Sequence, residues 1–258
     1  MTVMHESRSL IILFCIGMWL LLMFSDLGMN KIVPDSDLET NRYFLSDPEK
    51  RLAFDIMNAV LNSDHKEVCV PMGDCNLFSI SRIRTVIRDT WFPFIGDISC
   101  EVCSEEDCIV LNAEKSRSCF YENLRYREKV EHRSQDIVSG ACSETEIVDR
   151  ISNWICRRIA YDDAVDKAGI GWDTGRGNCI VFSCLFREMC RACNIPCFVI
   201  LGTADNGSVR GIHEWNVLCI NGIWFFCDLT WLKSSGHMTY GMSSTLWEDH
   251  YIQLWENL

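Results

Sequence analysis

The chain has 258 residues, of which 48% are hydrophobic and 23% charged, enough apolar content for a core in one large domain or two small ones. A formal net charge of −12 argues against the basic surface that nucleic acid or anionic lipid would need. No block is dominated by Gly, Ser, Pro or Gln and no internal repeat is present, which speaks against long disorder, solenoids and propellers.

After a short N-terminal tail (residues 1–8), the run from Ser9 to Ser25 carries no charge. Its length lies at the lower end for a membrane-spanning helix. It also suits the apolar region of a secretory signal, although Phe24-Ser-Asp-Leu-Gly28 makes a poor cleavage site. The expectation is a single-pass transmembrane signal-anchor over 9–27 with an extracytoplasmic domain, or a secreted chain if the segment is cleaved. Residues 28–140 read as a linker followed by an accessory helical and Cys-rich region, and 141–258 as the second domain.

Asp47-Pro48-Glu49 looks like a helix start, with Pro in the first turn and Leu52, Ile56, Ala59 and Val60 at helical spacing. A second helix is predicted from Ser79 to about Arg88, closed by Trp91-Phe-Pro-Phe94. Ile98 to Leu111 alternates weakly, as short strands and turns do, and holds Cys100, Cys103 and Cys108. Glu122 to Gln135 is strongly charged and reads as a solvated helix or arm. Ser143-Glu-Thr-Glu146 is a capping box opening a helix with Ile147, Ile151, Trp154, Ile155 and Ile159 inward. A loop with Gly169, Gly171, Gly175 and Gly177 follows, and then a long helix from Cys179 to Cys193. Three runs rich in β-branched and aromatic residues come next: Cys197–Gly202, Glu214–Ile220 and Ile223–Leu229. Asn221-Gly222 between the last two is a strong hairpin signal. The C-terminal half therefore reads as helix, helix and antiparallel sheet, an α+β domain.

The sixteen cysteines leave disulfides, buried thiols and a zinc site open as readings. The Cys100 group, with Cys69 and Cys75 upstream, lacks the two well-spaced pairs of a zinc site. No carboxylate run has calcium-loop spacing either, so no metal and no cofactor are expected.

Cys179 differs from the other cysteines. It follows a glycine-rich loop and begins an apolar-striped helix, where the helix's positive end can lower a thiol pKa and its amides can meet an oxyanion. The Asn221-Gly222 turn pairs residues whose numbers sum to about 443, so 228 falls near 215 and Asp228 beside His213. A carboxylate holding an imidazole next to a cysteine is the arrangement a thiol nucleophile needs. Each residue alone also has a bland reading, as a buried thiol, a hydrogen-bonded histidine or a turn aspartate. His237 and His250 look peripheral.

Several blocks carry a further signal: Gly175-Arg-Gly-Asn-Cys179-Ile-Val-Phe182, Cys193 to Gly202, His213-Glu-Trp-Asn216, Asn221-Gly-Ile-Trp224 and Asp228-Leu-Thr-Trp231. In order and content they resemble the transglutaminase-like superfamily over roughly Ser143 to Leu232. Arg88 to Phe94 and Ser244 to Tyr251 bear a weaker likeness to bacterial members. The resemblance implies a papain-like core, with the nucleophile at a helix N-terminus packed on an antiparallel sheet. It implies Cys179 as nucleophile, His213 as proton relay and Asp228 as its anchor, with a thioester resolved by water or an amine. Asn178, Trp172 and Tyr161 are candidate oxyanion or positioning groups. Substrates would be protein or peptide amides, including cell-wall peptide in a bacterial host. Leu229, where proline is common, and bulky Ile180 depart from the family pattern. A non-catalytic binding or scaffold domain is the alternative, because this fold is reused without catalysis, and a disulfide-rich binding module is a third.

Overall fold

The computed structural model describes residues 46–255, apart from 77–79, 81–82, 85–86, 89–91, 96–99, 104–106, 206, 208–209 and 236–240. The expected anchor over 9–27 lies outside the described residues, as does His237. Among the described residues no helix is long and apolar enough to cross a membrane.

Helix α1 (Asp47–Asn62) begins as predicted, with Glu49 reaching back to accept from the Ser46 amide at 2.7 Å. It packs over an antiparallel sheet of β1 (Glu67–Pro71), β2 (Cys100–Cys103) and β3 (Cys108–Asn112), in the order β1-β3-β2. A disulfide joins Cys69 to Cys108 across β1 and β3. Residues 80, 83, 84, 87 and 88 are helical, and Ile80, Ile83 and Ile87 close this first core with Ile56, Val60 and Phe92.

Helix α2 (Ala113–Val138) starts earlier than its charge pattern suggests. It is no solvated arm, since Phe120, Asn123, Tyr126, Val130 and Ser134 form a buried stripe and the charged residues take the other faces. Phe120 belongs to the first core, whereas Tyr126 and Val130 belong to a second one. The helix also captures the Phe92-Pro-Phe94 segment. Asn123 Oδ1 accepts from the Phe94 amide at 2.8 Å, and the Tyr126 ring stacks on Phe94 at 5.6 Å.

The second core lies between α2, α3 (Glu144–Arg158), α5 (Cys179–Ala192) and a four-stranded antiparallel sheet. Ser143 Oγ accepts from the Glu146 amide at 3.1 Å, as a capping box requires. The return bond goes one residue further back, from the Cys142 amide to Glu146. The expected glycine loop is ordered into β4 (Ala160–Tyr161), α4 (Ala168–Thr174) and β5 (Arg176–Gly177), with β4 and β5 parallel. The sheet comprises β6 (Cys197–Asp205), β7 (Arg210–Ile220), β8 (Ile223–Cys227) and β9 (His250–Trp255), in the order β8-β7-β6-β9. Its hairpin has the predicted register: Ile220 faces Ile223 and Asn216 faces Cys227. Asn221 and Gly222 both have positive φ, at 51° and 79°, the left-handed pair such a turn needs. Beyond β8 the chain does not stay extended to Leu229. It turns at Asp228 into α6 (Leu229–Ser235).

Helix α5 lies on β6 and β7 through Val181, Phe182, Leu185, Phe186 and Met189, all buried. Each such side chain contributes about 1.5–3 kcal/mol on burial. Asn216 fixes the helix to the sheet, its amide donating to the Ser183 carbonyl at 3.0 Å and the Phe198 carbonyl at 3.3 Å. The thiols of Cys190, Cys197 and Cys227 are buried in this core as small apolar groups. The one disulfide among the described residues is Cys69–Cys108, so this half is held by packing and not by a disulfide framework.

Strand β9 rests on Gly202. A Cβ there would sit 2.2 Å from the Tyr251 carbonyl oxygen and 2.5 Å from the Trp215 ring. Gly202→Ala is therefore expected to push β9 off β6 and destabilise the fold by about 1–3 kcal/mol. Urea unfolding of the variant against wild type measures this.

Candidate active site

Cys179 is the first residue of α5, and Asn178 caps the helix by accepting from the Ile180 amide at 3.1 Å. The Asn178 amide is itself tied to the Val165 carbonyl at 2.9 Å, so the residue before the thiol is held at both ends. Glycines make this turn possible through packing. A Cβ at Gly171 or Gly177 would lie 2.3 or 2.4 Å from Val181 in the first turn of α5. Both glycines thus let the α4–β5 segment press against the helix start that carries Cys179.

His213 lies within β7, which begins three residues before it and not just after it as the sequence suggests. Its Nε2 stands 2.7 Å from Asp228 Oδ2. The Cys179 thiol lies close enough to the ring to act on its pKa through hydrogen bonding and charge. Trp215 and Trp231 flank it, with centroids at 6.0 and 5.7 Å. Burial of the His213 ring disfavours its charge. The hydrogen bonds and charges of Asp228 and Cys179 outweigh that and raise its pKa to about 10.

Asp228 is the N-cap of α6. Its Oδ1 accepts from the Thr230 and Trp231 amides at 2.9 and 3.1 Å. The cap explains why Leu229 can stand where proline is common: it occupies the first helical position, which suits either residue. Burial pushes the Asp228 carboxyl up. Hydrogen bonds from His213 and His250, with the capped amides, hold it below the usual carboxylate range.

His250 is not peripheral. It is 2% exposed, and its Nε2 lies 3.1 Å from the same Asp228 Oδ2 that faces His213. Its Nδ1 lies 2.7 Å from Asp249 Oδ1. The sequence gives no local sign of this, because β9 reaches the site by pairing with β6 across a long separation. Among the described residues, His213, Asp228 and His250 form the group whose donor atoms converge, within 4.8 Å of one another. At 2.7 and 3.1 Å both histidines face the carboxylate at N–H···O distances.

The remaining expected residues divide. Asn178 shapes the helix start, as above. The Tyr161 hydroxyl donates to Asp163 at 2.6 Å. Its pKa is raised by partial burial, then by Asp163, with smaller effects from the nearby charges of Cys179 and Asp228. Trp172 packs on Trp154 with centroids 5.5 Å apart, and its carbonyl accepts from Arg158 at 3.1 Å, a helix-packing arrangement.

Residues 131–229 match the transglutaminase-like superfamily core, a stretch containing Cys179, His213 and Asp228 but not His250. The chain is 28% identical over 133 residues to kyphoscoliosis peptidase of Mus musculus, covering 45% of this chain and 20% of that protein. It is 30% identical over 112 residues to kyphoscoliosis peptidase of Homo sapiens, covering 37% and 17%. The match thus spans about a fifth of the length of these curated relatives. A solved TGase shares 16% identity at a TM-score of 0.39, covering 70% of this chain and 57% of that one. The segment around the site is transglutaminase-like.

Proposed function

We propose that the domain is a thiol acyl-transfer enzyme acting on carboxamide or peptide bonds of protein or peptide substrates. The observation that carries this reading is the imidazole of His213, held by Asp228 at 2.7 Å and close enough to a thiol at a helix start for that thiol to raise its pKa. The raised basicity of His213 favours transfer of the Cys179 proton to Nδ1. The sulfur then attacks the carbonyl carbon, forming a C–S bond and a tetrahedral oxyanion. The Cys179 amide, at the positive end of α5, is the nearest candidate donor to that oxyanion. As the intermediate collapses the C–N bond breaks, and His213 returns its proton to the leaving ammonia or amine. Water or a second amine, deprotonated by His213, attacks the thioester and frees the thiol. The two relatives that bear the name peptidase support amide substrates.

A panel of Gln-, Asn- and peptide-amide substrates, with hydroxylamine as acceptor, tests this. The expected products are ammonia or a new amine together with a hydroxamate, all absent from Cys179→Ala. Failure of the panel, with no faster labelling of Cys179 than of the other cysteines by a thiol probe at neutral pH, would overturn it.

A further inference from the structure

We propose that His250 is a positioning residue that holds the Asp228 carboxylate in line with His213, extending the site into strand β9. This rests on the thiol chemistry proposed above. It concerns a residue outside the matched family segment.

Asp228 is almost wholly buried and its two oxygens are used differently. Oδ1 is taken by the two amides of the α6 cap. Oδ2 meets two imidazoles, His213 Nε2 at 2.7 Å and His250 Nε2 at 3.1 Å. The α6 cap alone leaves the carboxylate free to swing about its Oδ1 end. The second imidazole fixes Oδ2, the atom on which His213 depends. His250 is itself held twice. Its Nδ1 faces Asp249 at 2.7 Å. Trp231, Trp247 and Trp215 surround its ring, with centroids at 4.7, 4.8 and 4.9 Å.

Carboxylate oxygens only accept, so the contact with Asp228 needs a proton on His250 Nε2. The charged groups facing it are Asp249 and Asp228, with His213 beyond at 5.8 Å. The result is a row of alternating acceptors and donors: Asp249, His250, Asp228, His213 and Cys179. A second donor on Oδ2 offsets the cost of burying Asp228 as an anion. Asp228 then does not depend on His213 alone, and His213 can release its proton to a leaving group.

The test uses the full chain. His250→Phe keeps a ring among the three tryptophans but donates nothing. His250→Gln keeps a donor of similar reach. Iodoacetamide alkylation of Cys179 at neutral pH, followed by peptide mass spectrometry, is expected to slow about tenfold in His250→Phe and to stay within about threefold of wild type in His250→Gln. Imidazole ¹⁵N–¹H correlation spectra should show a proton on His250 Nε2 in wild type. The His213 ring nitrogens should shift in the Phe variant more than in the Gln variant.

A wild-type alkylation rate in a folded His250→Phe protein would overturn the proposal. So would an equal fall in both variants, which would mark a packing role. If Cys179 of the wild type is not selectively alkylated, the thiol chemistry fails. The spectra then still decide the His250–Asp228 contact, with an unmoved His213 overturning it.

Discussion

Cys179→Ala is expected to lower kcat/KM by at least on the order of 10⁴-fold while leaving thermal unfolding within a few degrees of wild type. The two halves of the statement have separate causes. In the proposed reaction the thiol forms the acyl bond, and alanine offers no nucleophile in its place. The position itself is the first of α5, where alanine is the best helix former and the Asn178 cap is untouched. Cys184 makes the contrasting control. It lies in the next turn, is buried, and donates its thiol to the Pro93 carbonyl at 3.1 Å. Cys184→Ala should cost about 1 kcal/mol of stability and leave kcat unchanged. Initial rates on the best substrate of the panel, with matched thermal melts, separate the two. Loss of activity in Cys184→Ala, or its survival in Cys179→Ala, would show that the nucleophile has been misassigned.

Local chemistry made part of this site legible. Asn178 and Cys179 stand at a cap followed by an apolar stripe, and both are decided within one helical turn. The Asn221-Gly222 turn needs left-handed φ at two successive residues, which fixes the hairpin register and with it the approach of position 228 to His213. What escaped was decided further away. The run from Ile223 suggests a strand to Leu229, whereas Asp228 caps a helix whose Leu229 and Thr230 are buried. The charges of α2 hid a stripe that becomes apolar only once Phe94 and the neighbouring helices cover it. The glycines before Cys179 suggested a loop, whereas two of them serve the contact with Val181. Local pattern gave His250 no role beyond the weak likeness of Ser244 to Tyr251 to bacterial members. An isolated histidine after an aspartate gains its role only when β9 pairs along the edge of β6, with Gly202 leaving the space.

Asp228→Asn provides the sharpest test of the triad's geometry, because the substitution removes a charge and almost no volume. The asparagine must place its oxygen at one end and its amide at the other. Keeping the α6 cap requires the oxygen at the Oδ1 position, where the Thr230 and Trp231 amides donate. The NH₂ then faces the two imidazoles, and His213 must present a bare Nε2 to it. Its proton moves to Nδ1, and the ring can no longer accept the thiol proton there. Turning the amide the other way restores the tautomer but breaks the cap and leaves two buried amides unpaired. Either outcome lowers kcat/KM by about 10²- to 10⁴-fold. Stability should respond to pH as well. In wild type the pKa of His213 is raised from 6.5 to about 10, so the folded state binds the proton more tightly than the unfolded chain does. The resulting stabilisation, of the order of a few kcal/mol, is complete below pH 6.5 and disappears as pH rises towards 10. Much of that rise comes from the Asp228 hydrogen bond and charge. Urea midpoints of wild type should therefore fall across this alkaline window, and those of Asp228→Asn should fall less steeply. Parallel slopes for the two proteins would show that the carboxylate does not hold the proton on His213.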